Sequence, residues 1–419
     1  MTNMETVLQG LISYHQQMEE SGQFSPQELM RKMEPIYNAV NEQHSSPRIL
    51  ILFGGGAGDF VLLSPCLREI RRLYEQAGIF LVVSPNVAQL AIQCPYVDKV
   101  VAFDYLHLMG MENELFYIEC VAFVQKYFSY TFDIAFNFSS FFTGSLLAYM
   151  SGARERFLFL SAAEWGLFHK QIPYAAAQAL STVLYPEKKR SPHMVDSYLA
   201  VLDNLLHFPV ANRELEIWFT ADDIAYVRSF LPDVTDSVFI AIGLGGQGNG
   251  HKSWPVENYL QLMLRIQAHD KYVHFLITGG LAEKESAAFL AEHFAPDKYT
   301  NLAGALTFPQ TAALLSLCHY YIGNDTGTMH IAAANHIPIL VVFAYAANLP
   351  YSEFSNLERY APYHVPSVII QPDNALPECM QYLGHPLQVK LGCVANRPHC
   401  IKQVSVAEMY NGYLALRGI

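Results

Sequence analysis

The sequence predicts an α/β protein of two Rossmann-like, doubly wound domains facing a cleft, behind a helical N-terminal extension. Two successive runs of alternating strands and helices fill the chain from Arg48 onward, and consecutive β/α runs of this kind wind into parallel sheets. The 419 residues exceed what one core fills, since single cores stop growing at roughly 250–300 residues. Hydrophobic residues make up 52% of the chain, material enough for two cores. The expected division is an extension over 1–47, a first domain over 48–208, a linker over 209–236, a second domain over 237–400 and a terminal helix over 401–419.

Each element has its own warrant. In the extension, Val7, Leu8, Leu11 and Ile12 recur at helical spacing, Ser25-Pro26-Gln27-Glu28 opens a second helix, and His44-Ser45-Ser46-Pro47 closes the segment. Ile49-Leu50-Ile51-Leu52-Phe53 is a continuous apolar run, as a central parallel strand requires. Ser64-Pro65 reads as a helix start, because proline suits a first turn. Strands follow at Phe80–Val83, Lys99–Phe103 and Asp133–Asn137, and a helix around Met194 to Leu206 ends this half. The pattern weakens from Pro209 to Asp236. The second run then sets strands at Val238–Ile242, Val273–Ile277, Tyr320–Ile322 and Ile339–Phe343. Thr307-Phe308-Pro309-Gln310 is a capping box with proline in the first turn.

Composition excludes several classes. A net charge of −12 and a pI near 5.7 argue against nucleic acid, whose phosphates need clustered cations. Arg68, Arg71 and Arg72 share a helical face and Lys188-Lys189-Arg190 is a run; both patterns also describe ordinary solvated surfaces. Aromatics at 13% suggest apolar clefts or a partly apolar surface that meets a partner. The start of the chain shows no basic stretch followed by an apolar core, so no signal peptide is expected. The apolar stretch Ile134 to Met150 is interrupted by Asn137, Ser139, Ser140, Thr143 and Ser145, which fits a buried strand and helix beside a lipid-facing acceptor site better than a span. Seven scattered cysteines suit a reducing cytoplasm better than a disulfide framework. Peripheral contact at the inner face of a membrane is a separate expectation, tied to the lipid-facing acceptor.

The most informative motif is Gly323-Asn324-Asp325-Thr326-Gly327-Thr328-Met329-His330, between the run Tyr320-Tyr321-Ile322 and the helix-like Ile331–Ala334. The first backbone N–H groups of a helix lack internal partners, and the helix dipole stands behind them, so such a turn favours a phosphate or diphosphate. Asp325 cannot face the phosphates; it holds the turn or meets a sugar hydroxyl. His330, one turn in, reaches the same pocket. A nucleotide-linked ligand follows.

Gly54-Gly55-Gly56-Ala57-Gly58-Asp59 fails as a dinucleotide fingerprint, because Asp59 stands where the third glycine must pack the helix. A carboxylate there would also repel a pyrophosphate, so a nicotinamide dehydrogenase is excluded. The glycines instead let a bulky substrate approach the backbone. Asp59 is then either a general base facing the cleft or a helix N-cap. Gly245-Gly246-Gln247-Gly248-Asn249-Gly250-His251-Lys252 lacks P-loop spacing; Lys252 is either a phosphate contact or a solvent lysine on a mobile loop. Glu283, after Thr278-Gly279-Gly280, either reaches a ribose hydroxyl or matches a helix dipole.

Gly58-Asp59-Phe60-Val61-Leu62-Leu63-Ser64-Pro65, Lys252-Ser253-Trp254-Pro255, Gly279-Gly280 with Glu283, and Asp325-Thr326-Gly327 with His330 occur in an order that resembles glycosyltransferase family nine, the bacterial heptosyltransferases. The resemblance spans about residues 48–415. It implies a GT-B fold and inverting transfer of a heptose from ADP-heptose to a lipopolysaccharide or related glycan, with no metal or cofactor. Position by position, Asp59 resembles the family's catalytic base and Lys252 the residue at the donor phosphate. Asp325-Thr326-Gly327 resembles the diphosphate site and Glu283 the ribose contact, with Gly58, Gly245, Gly246, Gly279 and His330 completing the donor set. Cys379, Cys393 and Cys400, near His385 and His399, resemble a cysteine-rich segment of many members, without the spacing of a standard zinc finger. The extension resembles that of protein heptosyltransferases, which carry a cysteine-bound iron. Protein is therefore the alternative acceptor, and residues 1–47 are the candidate for homo-oligomer contact. A non-catalytic nucleotide-sugar-binding protein would remain if Asp59 were dispensable.

Overall fold

The computed structural model describes residues 45–108, 113–139, 141–159, 174–184, 193–232, 237–246, 252–348, 357–375 and 399–418, together with 9, 13 and 377. The expected extension falls almost wholly outside the described residues, as do Lys188-Lys189-Arg190, Cys379, His385 and Cys393. The chain divides into two units. One draws its described residues from Met1–Gly56, Cys66–Ser191 and Ser197–Ala211, the other from Ala57–Pro65, Pro192–Asp196 and Asn212–Ile419.

The first sheet contains β1 (Arg48–Phe53), β2 (Gly78–Val83), β3 (Lys99–Ala102), β4 (Ile134–Asn137), β5 (Glu155–Leu158) and β6 (Val183–Leu184). Its order is β3-β2-β1-β4-β5-β6 and every pairing is parallel. Ile49 to Phe53 are all buried, which explains the unbroken apolar run of a strand covered on both faces. The stretch from Ile134 forms β4 and then α4 (Phe142–Met150), buried along its whole length. Much of the aromatic content lies in this core, not on a cleft surface. Phe80 meets Phe128 and Phe132 edge-on at 5.8 and 5.7 Å, and Phe103 meets Phe123 at 4.5 Å.

The helix after β1 corrects the expected start at Ser64-Pro65. Helix α1 covers Ala57–Leu73, with Pro65 in its interior. Proline has no N–H, so the carbonyl four residues earlier, on Val61, loses its helical donor. The Ser64 hydroxyl donates to that carbonyl at 2.7 Å and accepts the Glu216 N–H at 2.9 Å. The surface arginines are engaged as well: Arg71 pairs with Asp98 at 2.7 Å, and Arg72 with Glu69. Other helices connected with this sheet are α2 (Pro85–Ala91), α3 (Asn113–Tyr127) and α5 (Tyr174–Leu180). Helix α6 (Met194–Ala200) runs on into a π-helical turn over Val201–Leu205.

The second sheet contains β7 (Val238–Gly243), β8 (Val273–Thr278), β9 (Tyr299–Asn301), β10 (Tyr320–Asn324), β11 (Ile339–Val342) and β12 (Ser367–Ile370). Its order, β12-β11-β10-β7-β8-β9, is again all parallel. Counted from its own first strand, each sheet has the doubly wound order 3-2-1-4-5-6, whose direction of winding reverses between the first and fourth strands. The expected doubly wound, Rossmann-like fold class is thus realised in both sheets. Helix α7 (Ala221–Arg228) occupies part of the expected linker and carries a capping box of Thr220 and Asp223. Helices α8 (Val256–His269), α9 (Lys284–Ala291), α10 (Phe308–Leu315) and α11 (Gly327–Ala334) follow the strands, and α10 opens on the expected Thr307–Gln310 box. The terminal helix α12 (Val406–Arg417) lies close on the sheet. A Cβ at Gly412 would come within 2.7 Å of Leu340 and 3.1 Å of Ile370. Among the described residues, no helix is long and apolar enough to cross a membrane.

Candidate active site at the carboxyl ends of β7, β8 and β10

Ligands of doubly wound sheets bind outside the carboxyl ends of the strands, where the winding reverses. In the second sheet that point lies between β7 and β10, and the expected donor residues converge there. Gly245 and Gly246 follow β7, Gly279 and Glu283 follow β8, and Asp325, Thr326 and Gly327 follow β10. Lys252 stands just ahead of α8, while 247–251 lie outside the described residues.

The anchor of this arrangement is Asn324, a residue of the motif to which no role was expected. It ends β10 and is fully buried. Its amide donates to the Leu244 carbonyl at 2.9 Å and to the Gly245 carbonyl at 3.1 Å. Its Oδ1 accepts from the Trp254 N–H at 3.2 Å and the Tyr259 hydroxyl at 2.9 Å. One side chain thus ties the loop after β7 to the start of α8. The available signal was a polar residue closing an apolar strand, which must find partners once buried.

Beside it, Lys252 Nζ and Asp325 Oδ2 form an ion pair at 2.7 Å, with their side chains 25% and 10% exposed. Lys252 is therefore held at the turn, unlike a solvent lysine. Glu283 accepts from the Gly280 N–H at 2.7 Å and from the Gly246 N–H at 3.4 Å. It therefore caps its helical turn, as one of its two readings required. A carboxylate has about four acceptor sites, so capacity for a further donor remains.

Helix α11 starts on Thr326, in extended conformation, whose side chain makes no capping bond. Gly58, in the first turn of α1, lies against it: a Cβ on Gly58 would fall 2.8 Å from the Gly327 Cα and 3.0 Å from the His330 ring. Residues 57–65 group with this second unit, so Gly58 and Gly327 meet within one body. Asp59 is the next residue along. It stands inside the first turn of α1 and so is not its N-cap. His330 is buried, and its Nδ1 has no hydrogen-bond partner. Burial lowers its pKa to about 4; Asp325 opposes the shift, while His193 and Lys252 reinforce it. The imidazole is neutral at pH 7. His193, not anticipated in the site, accepts the Val195 N–H on Nδ1 and donates from Nε2 to the Ala361 carbonyl, which fixes its tautomer.

Cys400 is buried, with His399 Nδ1 at 3.1 Å from its sulfur, while Cys379 and Cys393 are outside the described residues. Among the described residues, no three His, Cys, Asp or Glu side chains gather as a metal site.

Fold and site together define a doubly wound α/β protein with a cluster of charged and polar residues at the carboxyl ends of its second sheet, where the winding reverses. The family model for glycosyltransferase family 9 (heptosyltransferase) matches residues 121–359, more than half of the chain, and the chain belongs to that family. It is 24% identical over 206 residues to the lipopolysaccharide core heptosyltransferase OpsX of Haemophilus influenzae, a match spanning 48% of this chain and 57% of that relative. Among solved structures, a family 9 glycosyl transferase from Veillonella parvula shares the fold with a TM-score of 0.68 at 17% identity, over 90% of this chain and 99% of the other. The E. coli heptosyltransferase WaaC with ADP-2-deoxy-2-fluoro heptose does so with a TM-score of 0.56 at 18% identity, over 77% and 93%.

Proposed function

We propose that the protein is an inverting glycosyltransferase that moves a heptose from ADP-heptose to a hydroxyl of a lipopolysaccharide or related surface glycan, without a metal. The observation that carries this reading is the Lys252–Asp325 pair set at the N-terminus of α11, where the winding of the second sheet reverses. Membership of family 9 and the sugar nucleotide bound by the WaaC structure supply the donor class.

In this mechanism the diphosphate sits against the first N–H groups of α11, and Lys252 turns its ammonium to the same oxygens. Asp325 orients Lys252. Glu283 uses its spare acceptor capacity on a ribose hydroxyl. Asp59 takes the proton of the acceptor hydroxyl as that oxygen attacks the anomeric carbon. The bond from that carbon to the diphosphate breaks on the opposite face and its electron pair leaves with ADP, so the configuration inverts. Lys252 and the helix N-terminus neutralise the charge that grows on the leaving group, which replaces a divalent cation.

The test is transfer from ADP-heptose to a lipopolysaccharide acceptor in EDTA, with Asp59→Asn as the comparison. Turnover should persist in EDTA and fall by about 10²–10⁴ in the variant, the usual worth of a positioned base. Near-normal turnover by Asp59→Asn removes the base from the mechanism. Activity lost to EDTA and restored by magnesium or manganese removes metal independence.

A further inference from the structure

The turn from β10 into α11 concentrates polar atoms that are buried and have no partner. Three of them, the Tyr321 hydroxyl, Thr326 Oγ1 and His330 Nδ1, lie within ten residues of chain. Leaving such groups unpaired costs free energy, and each one marks either strain or an absent partner.

Tyr321 is the clearest case. It is the second residue of β10 and wholly buried, yet its hydroxyl bonds to nothing. The phenol end lies over the paired glycines of two adjacent strands, and a Cβ on Gly243 or on Gly323 would collide with the oxygen. Two glycines thus make room for a hydroxyl that has no bond. The neighbouring polar groups include the Thr326 hydroxyl, the charge of Asp325 and the Tyr259 phenol, whose own proton is given to Asn324. Thr326 is unsatisfied too. At a helix N-cap, threonine ordinarily accepts from an N–H two or three residues on. Here it makes no such bond, and its side chain lies over Gly245, with Cγ2 3.7 Å from where a Cβ would be.

We infer that Tyr321 is a positioning residue of the donor site, acting through Thr326. When a nucleoside diphosphate occupies the N-terminus of α11, the Tyr321 hydroxyl donates to Thr326 Oγ1, and Thr326 donates its own proton to a phosphate oxygen. Tyrosine thereby fixes a hydroxyl rotor that threonine alone leaves free. This rests on the diphosphate reading given under the proposed function, and no bond is made or broken in it.

Calorimetry with ADP and with adenosine on wild type, Tyr321→Phe, Thr326→Val and the double variant tests it. Tyr321→Phe should fold and melt no lower than wild type, because it deletes only an unpaired hydroxyl. ADP affinity should drop about threefold to tenfold, the net worth of one neutral hydrogen bond. Adenosine, which lacks the phosphates, should bind as before, and the phenylalanine should cost nothing further beside Thr326→Val. The inference is overturned if Tyr321→Phe binds ADP like wild type, weakens adenosine equally, keeps its full effect beside Thr326→Val, or fails to fold. Wild type that binds no ADP overturns the diphosphate reading itself; wild type that binds with Tyr321→Phe unchanged overturns only the role of Tyr321.

Discussion

Removing the Asn324 side chain should destabilise the second unit more than any other single truncation of a buried amide. Asn324→Ala takes away four hydrogen bonds at 2.9–3.2 Å and strands the Leu244 and Gly245 carbonyls and the Trp254 N–H, while the Tyr259 hydroxyl keeps only the Gly243 carbonyl at 3.5 Å. At a net ~0.5–1.5 kcal/mol for each bond, the loss comes to about 4 kcal/mol. For a unit of this size, that corresponds to a fall of roughly 8–16 °C in melting temperature. Asn137, the residue at the matching end of β4, gives an internal scale. Its amide donates to Ser145 Oγ at 3.1 Å and accepts the Ser139 N–H at 3.0 Å. With two bonds in place of four, Asn137→Ala should cost about 2 kcal/mol. Urea denaturation followed by Trp254 fluorescence measures the first variant directly, because the indole is buried beside the site. Calorimetric scans compare the two. If Asn324→Ala melts within a degree or two of wild type, or costs less than Asn137→Ala, the anchoring role given to Asn324 is wrong.

Lys252→Ala and Glu283→Ala should both weaken ADP binding, read by titration calorimetry; unchanged affinity in both would move the donor site elsewhere. Lys252→Ala should also leave Asp325 without its ion partner, so its melting temperature should drop as well. Acid sensitivity should trace in part to His330. Its folded pKa, about 4, lies below the ordinary 6.5, so between these values the unfolded chain binds more protons and stability rises with pH. The contribution is fully present above pH 6.5 and is lost as pH falls towards 4, by up to about 3 kcal/mol. Melting temperatures from pH 7 to 5 should therefore fall less steeply in His330→Asn; parallel curves would refute this.

The strands that could be read from sequence are those whose burial shows in the residues themselves. Ile49–Phe53 and Ile339–Val342 are unbroken apolar runs because both faces are covered, and Val238–Ile242 is a third, buried from Ile240 onward. β5, β6, β9 and β12 went unread because they are short or carry polar residues, such as Glu155-Arg156 and Thr300-Asn301. Three of them, β6, β9 and β12, are edge strands that pair on one side only. The start of α1 was missed for a local reason. A proline in the first turn is the commoner arrangement, and only the Ser64 hydroxyl on the Val61 carbonyl makes an interior Pro65 tolerable. At the site, the glycines and charged residues announced themselves by type. The partner of Lys252, the Gly246 bond of Glu283 and the four bonds of Asn324 join residues about 40 to 80 apart in sequence, which no local pattern reports.

The way α1 is shared between the units bears on how the protein can be cut. Ala57–Pro65 groups with the second unit and Cys66 onward with the first, so the division falls at the proline, where the helical bond ladder is already interrupted. A fragment starting at Asn212 would carry the entire second sheet yet lack Gly58, the residue that lies against Gly327. It would also lack Ser64, which accepts the Glu216 N–H, and Asp196, which holds Arg213 and the Tyr363 hydroxyl at 2.8 and 2.9 Å. The second unit of this chain is therefore not a modular cassette. Its surface is finished by two short upstream pieces, one from the start of α1 and one at the start of α6, so truncation, permutation and domain exchange have to carry those pieces along.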